Sequence, residues 1–170
     1  MTDCRPVGVG SVLEVTIANP TLARLSRIAG GGGRRVVPSA LDGGAWEEKV
    51  VAAVERGAVH WVHFDPPHRT TLGKEKWRGS ELERREDETI QGIARVVERI
   101  RDHCLWSLIL PRSSRAWETT EINRLLGLID VQTSSFSRCE WGGGSRHYAT
   151  IAGNLPWIWR VERPCSGGHS

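Results

Sequence analysis

The chain has 170 residues, of which 39% are hydrophobic and 25% are charged, and its formal net charge is +3. This length suits one domain with a sizeable core, and these proportions are those of a globular protein. They exclude a disordered or fibrous chain. A net charge this close to zero is compatible with nucleic acid as a partner but does not require one.

No run of 18 apolar residues occurs, so we expect no membrane-spanning segment. Residues 1–6 lack the basic-then-apolar order of a secretory signal. None of the four cysteines belongs to a C-x-x-C pair, which favours free thiols over a disulfide framework or a zinc module. We therefore expect a soluble intracellular protein, in the nucleus or the cytoplasm, that does not contact a membrane.

The apolar pattern predicts strands and helices that alternate along the first half of the chain. Asn19-Pro20-Thr21 is typical of a helix start, and Gly57 is typical of a helix end. Strands are predicted at 11–17, 36–37 and 59–64, and helices at about 20–29 and 46–56.

The second half continues the alternation after an expected loop at 72–80. Helices are predicted at 81–103 and from about 119 or 120 to 129, with Ile129 on the apolar side of the second. Strands are predicted at 105–110, 131–137 and 148–152, the last two as an antiparallel pair around a glycine turn.

This order of elements predicts an α/β fold. We expect a Rossmann-like, mostly parallel sheet with helices on both faces and a C-terminal antiparallel hairpin. The expected organisation is an N-terminal tail at 1–10, a single domain at 11–156 and a C-terminal tail at 157–170.

A stiff turn follows the central predicted strand. Asp65-Pro66-Pro67-His68 comes directly after Phe64, and neither proline can donate a hydrogen bond to a sheet. In open α/β sheets, ligands bind at the carboxyl ends of the strands. The motif therefore predicts either a ligand site at that edge or a plain turn.

The element order, together with this motif, resembles the Rossmann-like S-adenosylmethionine-dependent methyltransferases. The likeness is to divergent nucleic-acid (DNA) methyltransferase-like proteins, including versions carried by mobile elements. Leu13-Glu14-Val15 and Arg24-Leu25-Ser26-Arg27 are similar to the family's first strand and following helix. Asp65-Pro66-Pro67-His68 is similar to its Asp/Asn-Pro-Pro-aromatic reaction motif. Weaker matches lie at 110–117 and 139–154.

The resemblance implies S-adenosylmethionine as the cofactor and an amino group of a nucleic-acid base as the acceptor. It implies that Asp65 and the Pro66 carbonyl accept hydrogen bonds from the amine, and that His68 stacks on a flipped base. The candidate catalytic residues are Asp65, Pro66, Pro67 and His68. The candidate cofactor-binding residues are Glu14, Asn19 and Asp42.

Basic residues near the expected strand ends are candidates for contacts with phosphates, and neighbouring Trp77 and Trp117 are candidates for stacking on bases. A solvated surface is the other interpretation. The candidate nucleic-acid-binding residues are Lys74, Lys76, Arg78, Arg112 and Arg115. DNA and RNA both stay open as partners, as does a protein that supplies target recognition.

Two departures from the family pattern bear on activity. The family needs glycine after the first strand, where the backbone approaches the cofactor, whereas Thr16-Ile17-Ala18-Asn19-Pro20 contains none. Cytosine-ring methylation needs a thiolate in place of His68 and an acid in place of Ile109, so we do not expect that reaction. The alternative to an enzyme is a catalytically inactive methyltransferase-fold module for nucleic-acid binding or scaffolding.

No metal site is expected from the histidines. Residues alternate between the two faces of a strand, so His60 and His63 are predicted to point to opposite sides. Three ligands that include His68 would then fail to converge on one ion.

Overall fold

The computed structural model describes residues 11–16, 33–36, 44–66, 79–141 and 147–167. The predicted N-terminal tail, the predicted helix at 20–29 and most of the predicted loop at 72–80 lie outside these residues. The strands are β1 (Val12–Thr16), β2 (Gly33–Val36), β3 (Trp61–Asp65), β4 (Leu105–Pro111), β5 (Gln132–Ser137) and β6 (Tyr148–Gly153). The α-helices in the described ranges are α1 (Ala45–Glu55), α2 (Glu81–Ile100) and α3 (Thr120–Leu126).

The strands form one mixed sheet in the order β2-β1-β3-β4-β6-β5. β1 pairs in parallel with β2 and β3, and β3 pairs in parallel with β4. β6 pairs antiparallel with both β4 and β5. The α/β class and the closing antiparallel pair agree with the sequence prediction.

The strand order reverses between β1 and β3. From β1 the chain moves outward to β2, and then returns across β1 to form β3 on its other side. Such a reversal leaves a crevice at the carboxyl ends of the two strands between which it occurs, and it is where ligands bind in open α/β sheets.

The described α-helices pack on one face of the sheet around the main apolar core. Val15, Phe64 and Leu108 point from the strands into this core and are fully buried. The stripe of α2 that we predicted as buried, which includes Ile93 and Val97, packs into the same cluster. Helices on both faces stay a prediction, because the described α-helices share this one core.

Local interactions explain where the helices begin and how they pair. The Ser80 side chain accepts a hydrogen bond from the backbone N–H of Glu83 at 3.1 Å, which caps the N-terminus of α2. The exposed sides of α1 and α2 are linked by an ion pair between Glu47 and Arg95 at 2.6 Å. None of the described helices combines the length and the apolar character needed to cross a membrane.

Two details of the predicted elements were wrong. β2 covers Gly33–Val36 rather than residues 36–37, because pairing with β1 holds a segment whose own residues do not favour a strand. Helix α3 ends at Leu126 with Gly127 as its cap, so Ile129 is fully exposed instead of lying on the apolar side.

The segment after Pro156, which we expected to be a tail, contacts the sheet at Ile158 and at Arg163. Ile158 is fully buried with Ile151 and Leu155 in a second, smaller apolar cluster. The backbone N–H of Ser137 donates a hydrogen bond to the carbonyl of Arg163 at 2.8 Å. This segment therefore extends the domain beyond β6.

We expect Gly153→Ala to destabilise the protein, because a methyl group there would overlap the Trp106 carbonyl and lie 2.9 Å from the Ser107 Cα. Backbone atoms of a central strand cannot move aside cheaply, so the free energy of unfolding should fall by about 2 kcal/mol or more. Urea unfolding measures this. Gly127→Ala is the control, since its nearest neighbours lie at 3.5 Å, and its effect should stay below about 1 kcal/mol. Equal effects of the two variants would contradict the close approach.

Candidate functional site

A pocket of about 700 Å³ lies at the carboxyl ends of β3 and β4. Volumes of this size are typical of sites for small molecules. Because β6 is antiparallel to β4, the start of β6 and the turn after β5 lie at the same edge of the sheet. The lining residues are Asp65, Ile109, Leu110, Pro111, Arg112, Ser113, Arg138, His147, Tyr148 and Ala149.

Asp65 lies between this pocket and the carboxyl end of β1. It is the last residue of β3, and its partner across the sheet is Thr16, the last residue of β1. The chain leaves β1 towards Asn19, which is outside the described residues. Asp65 therefore lies at the reversal of strand order, with the exit of β1 on one side and the pocket on the other.

The far wall of the pocket is basic and aromatic. The Arg112 guanidinium lies 6.0 Å from the centre of the Tyr148 ring, within range of a cation–π interaction. The backbone N–H of Arg112 donates to the Tyr148 carbonyl at 3.0 Å, and that of Arg138 donates to the His147 carbonyl at the same distance. These backbone bonds fix the main chain of two arginines that line the pocket, and guanidinium groups favour an anionic ligand.

Trp117 fixes the turn after β4. Its indole N–H donates a hydrogen bond to the carbonyl of Pro111 at 2.9 Å, and its ring packs against the main core. The Ser114 backbone N–H donates to the same carbonyl at 2.9 Å. Trp117 therefore has a structural role beside the pocket, which gives no support to the idea that it stacks on a base.

The structure separates Arg115 from Arg112. Arg115 lies 3.6 Å from the Glu83 carboxylate and lines a different pocket. Carboxylates dominate that pocket, which makes it a poor site for phosphate. Its charged lining residues besides Arg115 are Glu83, Asp87, Glu118 and Glu121.

The remaining predicted site residues are only partly described. Glu14 is buried in the middle of β1, with 3% of its surface exposed, and Pro66 is buried directly after β3. The others lie outside the described residues: Asn19, Asp42, Pro67, His68, Lys74, Lys76, Arg78 and Trp77.

A polar row crosses the sheet beneath the edge. Glu14, His63 and Ser107 are neighbours on three adjacent strands, and all three are buried. His63 Nδ1 lies 2.7 Å from the Ser107 hydroxyl, which also accepts a hydrogen bond from the Trp61 indole at 3.0 Å. Burial lowers the pKa of His63 to about 4. The imidazole is therefore neutral at pH 7.

Sequence reasoning missed two members of the row, His63 and Ser107, and most of the residues that line the pocket. We had considered His63 only as a metal ligand, although a polar residue within an apolar strand already indicates a buried hydrogen bond. Arg138, His147 and Tyr148 were not predicted as site residues. The predicted closing pair of strands was the signal that could have pointed to them.

No family model matches the chain, and neither the curated proteins nor the solved structures contain a match. The geometry of the sheet edge is therefore the basis for a functional assignment.

We expect His63 to make the protein less stable in mild acid. In the unfolded chain its pKa is the ordinary 6.5, whereas in the folded protein it is about 4, so the unfolded state takes up a proton first as the pH falls. The free energy of unfolding should therefore fall by about 2 kcal/mol between pH 7.5 and pH 5 through this residue.

Urea unfolding of the wild type and of His63→Gln at both pH values measures this loss in the free energy of unfolding. The difference between the two proteins isolates the contribution of His63. His60→Gln is the control, because His60 is exposed and its replacement should leave the dependence unchanged. If His63→Gln loses as much stability as the wild type, the buried neutral imidazole is wrong.

Proposed function

We propose that this chain is a Rossmann-like, S-adenosylmethionine-dependent methyltransferase-like protein that acts on an amino group of nucleic acid. The position of Asp65 carries the proposal: it lies at the reversal of strand order, between the exit of β1 and a pocket of about 700 Å³. A group transfer needs two ligands that meet at one place, and this carboxylate lies between two places where ligands would bind.

The sheet supports the cofactor side of the proposal. β1 lies centrally in the parallel part of the sheet, and its carboxyl end faces the crevice where nucleotide-like ligands bind in doubly wound folds. Asn19 and Asp42 follow β1 and β2 in sequence and are the residues we assign to cofactor binding. When bound, the cofactor supplies an electrophilic methyl group.

Glu14 has a different role in this proposal. It lies two residues before the end of β1 and is almost completely buried beside His63. It therefore does not line an open crevice in the described structure. We propose that Glu14 stabilises the sheet beneath the cofactor as part of the polar row and does not contact the cofactor directly.

The pocket supports the acceptor side. Ile109 and Ala149 provide an apolar surface and Tyr148 provides a ring, which suits a base taken out of its stack. Arg112 and Arg138 at the rim suit the flanking phosphates. Asp65 then accepts a hydrogen bond from the amino group and orients its lone pair. The nitrogen would gain the methyl group as the methyl–sulfur bond of the cofactor breaks, S-adenosylhomocysteine would leave, and the amine proton would pass to solvent. The residues contribute chiefly by positioning.

The proposal predicts that S-adenosylmethionine binds with micromolar affinity and that Asp65→Ala abolishes methyl transfer to oligonucleotides. Cofactor affinity should change by less than about threefold, because Asp65 contacts the acceptor. Calorimetry measures binding, and incorporation of a radioactive methyl group measures transfer. Asp102→Ala, at an exposed carboxylate beyond α2, is the control and should retain activity. Full activity of Asp65→Ala would overturn the catalytic assignment.

The alternative is an inactive module of the same fold that binds nucleic acid or acts as a scaffold. The absence of glycine between Thr16 and Pro20 favours it, since a cofactor needs close approach of the backbone there. The basic wall formed by Arg112 and Arg138 serves this function equally well. No heat with millimolar S-adenosylmethionine, together with binding of oligonucleotides, would select the alternative.

Both versions predict that binding of an oligonucleotide weakens steeply with salt. Replacing Arg112 or Arg138 by Gln should reduce the slope of log affinity against log salt by about one phosphate contact each. Arg115→Gln is the matched control, because Arg115 is paired with Glu83 in the acidic pocket and should leave the slope unchanged. Fluorescence anisotropy with labelled DNA and RNA measures the slopes. Equal slopes for all three variants would contradict the assigned basic wall.

A further inference from the structure

We propose that Cys139, Glu140 and Cys165 form a binding site for a zinc ion. Their potential ligand atoms all lie within 4.8 Å of one another. The two cysteines are separated by a long stretch of sequence, which is why the cysteine spacing predicted free thiols. The site lies beside the wall of the methyl-transfer pocket, next to Arg138 and Tyr148, and its existence does not depend on that proposed function.

The fold brings these residues together at the end of β5. The chain leaves β5 at Ser137 and forms a 3-10 turn, Arg138–Trp141, which carries Cys139 and Glu140. The C-terminal segment runs beside β5, where Arg163 forms an isolated parallel β-bridge with Phe136. That bridge positions Cys165 against the turn.

The distance between the two sulfur atoms suits a shared metal. The Sγ atoms of Cys139 and Cys165 are 3.6 Å apart. Two thiolates at about 2.3 Å from one tetrahedral zinc ion lie about 3.8 Å apart, whereas the sulfurs of a disulfide lie about 2.05 Å apart. The sulfurs are thus already at nearly the separation that tetrahedral zinc requires.

The three side chains are also held by neighbours. The Ser137 hydroxyl lies 2.8 Å from the Cys139 sulfur and can donate to a thiolate. The backbone N–H and the hydroxyl of Ser166 donate to Oε1 of Glu140 at 2.8 and 2.7 Å. Outer contacts of this kind orient the ligands of metal sites and are part of their design.

The donor set selects the metal. Two thiolates favour zinc over magnesium or calcium, and a carboxylate is a common third ligand of zinc. Binding replaces the two thiol protons, which are released to solvent, and leaves the fourth position for water. Zinc would fasten the C-terminal segment beside Tyr148, whose hydroxyl is 3.5 Å from the backbone nitrogen of Cys165.

The experiment titrates the reduced, chelator-treated protein with zinc in competition with a chromophoric chelator. We expect one zinc per chain with submicromolar affinity, and a loss of at least 100-fold in Cys139→Ser and in Cys165→Ser. Glu140→Gln should weaken binding by about tenfold. Cobalt(II) in the wild-type protein should produce a thiolate-to-metal charge-transfer band, which tests the site without any variant.

The control is Cys104→Ser, whose thiol lies against the main core, where burial raises its pKa to about 11. Its zinc affinity should equal that of the wild type. The proposal is overturned if reduced protein binds no zinc at micromolar concentration, if cobalt gives no charge-transfer band, or if Cys139→Ser binds zinc unchanged. A Cys139–Cys165 disulfide in protein whose reduced form binds no zinc would overturn it in favour of a redox pair.

Discussion

The parallel pairing of β1 with β3 is the constraint on which the candidate site depends. Its register places Thr16 beside Asp65, so the two strands end together. Since β2 lies on the outer side of β1 and β4 lies beyond β3, the strand order reverses at this pair, which is where ligands bind in open α/β sheets. A shift of one residue in this register would turn Asp65 to the other face and remove it from the pocket.

The two faces of the sheet serve different purposes. The face towards the helices is apolar and supplies the main core, in which Val15, Phe64 and Leu108 are fully buried. The opposite face carries the row of Glu14, His63 and Ser107 under the candidate site. Buried polar groups of this kind are costly unless they are hydrogen-bonded, and a satisfied network holds its members in one arrangement. The contacts of the Ser107 hydroxyl with His63 and with the Trp61 indole therefore link neighbouring strands on this face of the sheet.

The closing pair of strands, β5 and β6, supplies the basic and aromatic wall of the pocket. It carries Arg138 and Tyr148 to the edge where Asp65 lies, and it positions Cys139 against the C-terminal segment. Both arrangements depend on the insertion of β6 between β4 and β5. One structural unit therefore forms both the pocket wall and the cysteine cluster, which lie next to each other.

The sequence by itself determined the order of the elements, because apolar periodicity and prolines are local signals, and it placed Asp65 at the end of a central strand. It could not show that α3 ends at Leu126, before Ile129, because the cap at Gly127 overrides the apolar pattern. It also could not show that β2 begins at Gly33, because pairing with β1 overrides the local preference of that segment. It also could not show that Arg115 lies beside Glu83 whereas Arg112 lies beside Tyr148, or that Cys139 meets Cys165. Those juxtapositions depend on strand order and on the return of the C-terminal segment. Only the tertiary structure decides them, because they join residues far apart in the chain.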